Sequence, residues 1–106
     1  MKTNDKVKAI DVKRQFGTMV FLGVYDWTDF KTKEVKGVNI IFSSEEYGGR
    51  EKIIRIKDAR KEMFKDFEMA EPISFENVTA TDWAMKSGKT GTTFYAEKLI
   101  ALKKAK

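Results

Sequence analysis

Cysteine and histidine are both absent from this sequence of 106 residues. The lack of cysteine excludes disulfide bonds and thiolate metal sites. The lack of histidine removes the commonest general base and every nucleophile that histidine activates. Catalysis would have to rest on carboxylates, lysines or hydroxyls, and these groups form no recognisable catalytic pattern. We therefore expect a protein that is not an enzyme and uses no cofactor or metal ion.

Long apolar runs, low-complexity tracts and internal repeats are also missing. No stretch approaches the roughly 20 apolar residues that span a bilayer, and the first residues carry no signal-peptide pattern. Pro72 is the only proline, and no linker divides the chain. The length suits one domain, so we expect a single domain over residues 1–106, located in the cytoplasm and without contact to a membrane.

Charge is unevenly distributed along the chain, whose net charge is +5. Residues 1–15 form a basic arm with five basic and two acidic residues, and the chain ends in a basic tail over residues 103–106. Residues 31–61 carry nine basic and five acidic residues, whereas residues 62–85 carry one basic and six acidic residues. A face that binds a polyanion, with an acidic back, would produce this asymmetry. An ordinary solvated surface is the alternative.

Several segments have the alternating pattern or the β-branched and aromatic content of strands. They are Lys6–Val12, a short basic strand or arm, and then Thr18–Trp27, Val35–Ser43, Glu51–Lys57, Ile73–Met85 and Thr92–Leu102. Gly23, and the change of apolar phase near Asn77, each predict a bulge. The sequence Tyr47-Gly48-Gly49 predicts a hairpin turn.

One segment has the period of a helix. Asp58–Phe67 is rich in helix formers, Asp58 is a candidate N-cap, and Ala59, Met63 and Phe67 form one apolar stripe. A single helix between the third and fourth strands is the order of the OB fold. We therefore expect a mainly β protein: a five-stranded OB-like Greek-key barrel with that helix and an N-terminal strand or arm. Another small barrel or a mixed α+β sheet would also fit.

The segment Ser87-Gly88-Lys89-Thr90 matches only the end of a phosphate-binding P-loop. The complete pattern needs a glycine five residues before Gly88, where this sequence has Trp83. The segment also lies between two predicted strands and not before a helix. It therefore predicts a glycine-rich hairpin loop, whose Lys86 and Lys89 could still contact a phosphate as simple charges.

Aromatic residues interleaved with lysines and arginines carry the main functional signal. Single-strand binders combine stacking aromatics with a basic groove, because every base offers a π-face and every linkage a negative charge. The candidate nucleic-acid-binding residues are Trp27, Phe30, Lys31, Lys33, Lys36, Tyr47, Arg50, Lys52, Arg55, Trp83, Lys86 and Lys89.

The aromatic residues differ in how well the core explains them. Phe21, Phe42, Phe75 and Phe94 lie in predicted strands, where a small barrel needs aromatics for its core. Trp27 and Trp83 fit the core and a ligand face equally well. Phe30 and Tyr47 fall in predicted loops, and a large apolar ring in a loop favours a functional role.

The chain resembles the small helicase-processivity proteins of Gram-positive conjugative elements and, more distantly, the gene V type of single-stranded DNA-binding protein from filamentous phages. The resemblance rests on residues 16–21 (FGTMVF), Asp82-Trp83 and residues 96–99 (AEKL). It implies a role in replicating mobile DNA of a phage, plasmid or conjugative element, by coating single strands or assisting a helicase.

Two functions follow as expectations from these observations. The first is non-catalytic binding of single-stranded DNA, with RNA possible, alongside a helicase or another replication protein. The second is a protein–protein interaction module of a mobile element that does not bind nucleic acid, with the same aromatics as interface anchors. A homodimer fits either function, because OB-like barrels leave strand edges that can pair.

Overall fold

The computed structural model describes residues 6–102, so the first part of the basic arm and the basic tail lie outside the described residues. The strands are β1 (Lys6–Ala9), β2 (Met19–Thr28), β3 (Val35–Ser44), β4 (Arg50–Lys57), β5 (Pro72–Glu76), β6 (Thr79–Ala84), β7 (Thr90–Tyr95) and β8 (Lys98–Ala101). One short helix, α1 (Val12–Phe16), and two 3₁₀ turns, Glu45–Tyr47 and Lys61–Phe64, complete the elements. Among residues 6–102, no helix has the length and apolar character needed to cross a membrane.

The strands form one mixed sheet in the order β1-β6-β7-β4-β3-β2-β5-β8. Strands β4 and β7 are parallel, and the other pairs are antiparallel. The prediction of a mainly β protein is therefore confirmed. The closed five-stranded barrel is not what the described residues form, because their sheet has eight strands and ends at β1 and β8.

The predicted β segment Ile73–Met85 contains two strands, β5 and β6, which are divided near Asn77, where the change of apolar phase predicted a bulge. Asn77 adopts a left-handed φ of 53°, which interrupts the extended backbone. The carbonyl of the next residue, Val78, accepts a hydrogen bond from the N–H of Ile10. As a result β5 pairs with β2 and β8, while β6 pairs with β1 and β7.

Alternation along the strands places the core on one side of the sheet, called here the inner face. On β3, Val38, Ile40, Phe42 and Ser44 are buried, and the residues between them are half-buried. Predicted core positions Phe21, Phe42 and Phe75 are buried, and Phe94 is half-buried and packs against them.

The predicted helix over Asp58–Phe67 is replaced by the single 3₁₀ turn Lys61–Phe64. Asp58 has a left-handed φ of 64°, whereas a helix N-cap needs an extended backbone. Its N–H donates to the carbonyl of Lys36, which extends the pairing of β3 with β4. Phe64 is the buried residue of this turn, and Met63 is 65% exposed, so the predicted apolar stripe does not form.

Part of the predicted N-terminal arm belongs to the packed fold. After β1 the side chain of Asp11 accepts a hydrogen bond from the N–H of Arg14 and caps α1, a helix that the sequence did not predict. The helix delivers Phe16 into the core, where its ring packs edge-on against Phe42 and Phe94. Residues 6–16 therefore contribute to stability besides carrying positive charge.

The predicted bulge at Gly23 is confirmed and decides what β2 presents on each face. Phe21 pairs with Phe42, but Gly23 pairs with Ile41, which leaves Leu22 as an extra residue. This extra residue reverses the alternation. Phe21 points to the core, and Tyr25 and Trp27 consequently lie on the other side of the sheet.

Candidate nucleic-acid interface

The side of the sheet opposite the core is called here the open face. It is formed by β2, β3, β4, β7 and β6 and carries every second residue of each strand. Tyr25, Asn39, Arg55 and Tyr95 are consecutive cross-strand neighbours on it. The face therefore joins residues from four strands that are far apart in the sequence.

A cluster centred on Trp27 occupies one end of the open face. The guanidinium carbon of Arg55 lies 4.6 Å from the centre of the indole ring, and Nζ of Lys36 lies 5.1 Å from it. The ring of Tyr95 is 5.9 Å away, centre to centre. Two cations and a second aromatic ring thus surround one half-buried tryptophan, which is the set of groups that binds a base and its phosphate.

Two features of β3 allow Trp27 on β2 to reach Arg55 on β4. The partner of Trp27 is Gly37, which has no side chain to separate the ring from the next strand. Nε of Arg55 donates a hydrogen bond to Oδ1 of Asn39 at 3.2 Å, which fixes the guanidinium above the sheet. The cluster is therefore arranged before any ligand binds.

The other end of the open face carries Trp83. Trp83 pairs with Gly91, and a Cβ at Gly91 would lie 2.4 Å from an indole carbon, so the ring rests directly on the glycine backbone. Nε1 of Trp83 donates to Oγ1 of Thr93 at 3.2 Å. A shallow cavity of about 330 Å³ lies beside the ring and is lined by residues 82–84 and 90–92.

The loop over residues 29–34 flanks the Trp27 end. The carboxylate of Asp29 accepts hydrogen bonds from the N–H groups of Lys31 and Thr32, at 2.8 and 2.9 Å. The N–H groups of Thr32 and then Lys31 hold the pKa of Asp29 below its ordinary value of 3.8. Phe30 is 87% exposed in this loop, with Nζ of Lys33 at 5.9 Å from its ring centre. The exposure matches the expectation that the core does not explain Phe30.

The loop over residues 85–89 flanks the Trp83 end. It is the predicted hairpin between antiparallel β6 and β7, closed by hydrogen bonds between Met85 and Lys89 and between Gly88 and Met85. Gly88 has a φ of 96°, a conformation that favours glycine. Strand β7, and not a helix, directly follows the segment, so it is a hairpin loop and not a P-loop. Lys86 and Lys89 are exposed on it.

The structure separates Tyr47 and Lys52 from the open face. Lys52 pairs with Phe42 on the inner side of β4, and its Nζ lies 4.1 Å from the centre of the Tyr47 ring. Tyr47 packs against Phe16, and its hydroxyl accepts a hydrogen bond from Nε2 of Gln15 at 2.7 Å. Arg50 is exposed at the start of β4, on the same side as Lys52. Tyr47 and Lys52 line a different cavity, of about 420 Å³.

Sequence reasoning missed Asn39, Lys57 and Tyr95 as members of the open face. Lys57 is exposed and alternates with Arg55 on β4. The lysine or arginine nearest to Tyr95 in the sequence is Lys98. Tyr95 lies beside Arg55 only because β4 and β7 pair in parallel. Period-two alternation would have placed Lys57 beside Arg55, but no local signal predicts a parallel partner.

Comparison of the chain with family models, curated proteins and solved structures finds no match. Within residues 6–102, no three acidic side chains lie close enough together to share a metal ion. The feature of this chain that points to a function is therefore the geometry of the open face.

Proposed function

We propose that this protein binds single-stranded nucleic acid, preferably DNA, on the open face and catalyses no reaction. The observation that carries the proposal is the Trp27 cluster, in which Arg55, Lys36 and Tyr95 surround one half-buried indole ring on the side of the sheet opposite the core. Stacking on such rings tolerates any sequence, and the cations balance the charge of the backbone.

The strand pairing supports an OB-like fold. Strands β5 and β6 follow one another across the bend at Asn77, and β7 and β8 across residues 96–97. If β5 with β6 is counted as one bent strand and β7 with β8 as another, then β2, β3, β4 and these two make five strands. In this set β2 pairs with β3 and with β5, and β4 runs parallel to β7. In OB folds the second and third strands and the loops after the first and fourth strands bind the ligand. The corresponding loops here cover residues 29–34 and 85–89, which flank the open face.

The biological setting follows from the resemblance to helicase-processivity and gene V-type proteins. We infer a cytoplasmic protein that assists the replication of a phage, plasmid or conjugative element, with a helicase or another replication protein as partner. RNA offers the same bases and charges and is an alternative ligand. The exposed edges at β1 and β8 are where two copies would pair in a homodimer.

Titration of a fluorescent oligothymidine at low and at moderate salt tests the proposal. Because phosphate contacts release counterions, affinity should fall steeply with salt, with a slope of about 0.7 for each neutralised phosphate. Double-stranded DNA of the same length is the control ligand and should bind more weakly. Absence of binding to the single strand at low salt would contradict the proposal.

A second candidate function is a protein interaction module, and a separate surface favours it. Met63, which is 65% exposed, and the half-buried Phe67 line a groove of about 170 Å³ whose residues are mainly apolar. Met69, two residues after Phe67 in the sequence, is 72% exposed. Exposed methionines adapt to varied partners. A partner protein that binds after nuclease treatment, to a chain that binds no oligonucleotide, would favour this function over the first.

A further inference from the structure

The two tryptophans of the open face are separated along one strand direction. Tyr95, which contacts Trp27, and Gly91, which supports Trp83, are both on β7 and four positions apart. At about 3.3 Å per residue, Tyr95 and Gly91 are about 13 Å apart along β7. Thr93, which accepts the hydrogen bond from the Trp83 indole, lies midway between them, so the two rings contact different parts of this strand.

Trp83 is built as a fixed platform. Its ring rests on the backbone of Gly91, and its indole N–H is held by Thr93, so one ring face is covered and its orientation is set. A ring that is already held loses little conformational freedom when a base stacks on it. Since the hydrogen bond to Thr93 uses the only polar group of the indole, what remains for a ligand is the outer π-face.

The surface between the two tryptophans suits a nucleotide chain. A shallow cavity of about 220 Å³ lies there, lined by Asn39, Ile53, Arg55, Thr92, Thr93 and Phe94. It offers the side chain of Ile53, which is 45% exposed, for a base or sugar and the guanidinium of Arg55 for a phosphate. Beyond Trp83 the exposed Lys86 and Lys89 add positive charge.

We propose that Trp83 on Gly91 is a second base-stacking subsite and that the bound strand runs along β7, from the Trp27 cluster to the loop over residues 85–89. This inference rests on the proposed single-strand binding and adds the path and length of the site. Stacked nucleotides rise about 3.4 Å each, so about four of them cover the stretch of β7 from Tyr95 to Gly91, which is about 13 Å long. An oligonucleotide of four or more nucleotides therefore engages both rings, and a dinucleotide engages one.

Single-tryptophan variants test the second subsite. In Trp27→Phe the only indole is Trp83, and in Trp83→Phe it is Trp27. We expect an eight-nucleotide oligothymidine to quench the fluorescence of both variants. Quenching of Trp27 without quenching of Trp83 would overturn the second subsite and leave the proposed function standing. If the oligonucleotide binds neither variant nor the unaltered chain, the proposed function itself fails.

A matched pair of glycine variants tests whether binding depends on the position of the Trp83 ring and not only on its presence. Gly91→Ala displaces the ring, whereas Gly23→Ala, also on the open face, adds a methyl group with no neighbour within 4 Å. We expect Gly91→Ala to weaken binding of the eight-nucleotide strand about 5- to 150-fold, the loss of one stacked base, and Gly23→Ala to preserve affinity. Unchanged affinity in a folded Gly91→Ala variant would overturn the inference.

A length series keeps the inference testable if Gly91→Ala does not fold. The unaltered protein should gain affinity steeply between two and about four nucleotides, because the second ring is then reached. Trp83→Ala should remove that step, so the loss of affinity should be larger for a tetranucleotide than for a dinucleotide. An equal loss at every length would overturn the inference.

Discussion

Two aromatic–cation pairs of this protein have similar distances between cation and ring but lie on opposite faces of the sheet. Trp27 with Arg55 and Tyr47 with Lys52 each place a cation within 4.6 Å of a ring centre. The first pair lies on the open face and includes a second aromatic ring, Tyr95. In the second pair, the Tyr47 ring packs against core residue Phe16.

The side of β4 that each cation occupies explains the difference. Lys52 belongs to the series that continues with Ile54 and Ile56, both buried, whereas Arg55 and Lys57 belong to the opposite series. A cation and an aromatic ring that are near each other can therefore stabilise the fold or bind a ligand. Which of these they do depends on the face of the sheet, and this difference predicts distinct effects of mutation.

The largest expected effect is loss of stability in Tyr47→Ala. Removing a fully buried aromatic ring costs about 3–5 kcal/mol, and for the half-buried Tyr47 we expect about 2 kcal/mol in the free energy of unfolding. Urea denaturation measures this change. Tyr47→Phe keeps the ring but loses the hydrogen bond from Gln15, for a cost of about 1 kcal/mol. A stable Tyr47→Ala variant that no longer binds DNA would break the distinction between the pairs.

Trp27→Ala should give the opposite pattern, with weak binding and nearly normal stability. Loss of one stacked base costs about 1–3 kcal/mol of binding free energy. The indole lies on the open face, outside the buried core, so the unfolding free energy should change less than in Tyr47→Ala. Oligothymidine titration and urea denaturation of the same preparation measure both quantities. Trp27→Ala that binds normally would remove Trp27 from the site.

Arg55 should contribute both a charge and a planar group. Arg55→Ala should lower the salt slope of binding by about 0.7, one phosphate contact on a single strand. Arg55→Lys keeps the charge but loses the planar guanidinium that stacks on Trp27 and donates to Asn39. We therefore expect the Arg55→Lys variant to keep the salt slope of the unaltered protein but only part of its affinity. Lys65→Ala, on the acidic segment, is the control and should leave the slope unchanged.

The smallest expected effect concerns the loop over residues 29–34 and pH. Hydrogen bonds from Thr32 and Lys31 lower the pKa of Asp29 in the folded protein, so its carboxylate contributes fully to stability at any pH above its pKa in the unfolded chain. That contribution to stability is lost as the pH falls through the lowered pKa of the folded protein. Amide signals of Lys31 and Thr32 should shift in that acidic range, and in Asp29→Asn the shift should be absent. Persistence of the shift in Asp29→Asn would assign it to another group.

The sequence predicted those parts of the fold that have a local cause. The bulge at Gly23, the hairpin loop at residues 85–89 and the core positions Phe42 and Phe75 all follow from turn residues or alternation. The prediction of a helix at residues 58–67 is wrong because packing against the sheet sets the left-handed backbone of Asp58 and the burial of Phe64. Helix propensity is weak enough for such contacts to override it.

The candidate site was predictable only in part, for a related reason. Trp27, Lys36 and Arg55 were found because aromatic and basic residues stand out in the sequence. Tyr95 joins them through parallel pairing of strands that are about forty residues apart, which no short pattern indicates. Tyr47 was assigned to a loop, although its ring packs against a helix that the sequence did not predict.

Binding of single-stranded DNA to the open face can be observed by nuclear magnetic resonance of the labelled protein during titration with an eight-nucleotide oligothymidine. We expect shifts of the indole N–H signals of Trp27 and Trp83 and of the amides of Arg55 and Tyr95. We expect little change at Phe16 and Tyr47, on the inner side of the sheet. Shifts confined to Tyr47, Lys52 and their neighbours, with both indole signals unchanged, would contradict the assignment of the open face as the binding surface.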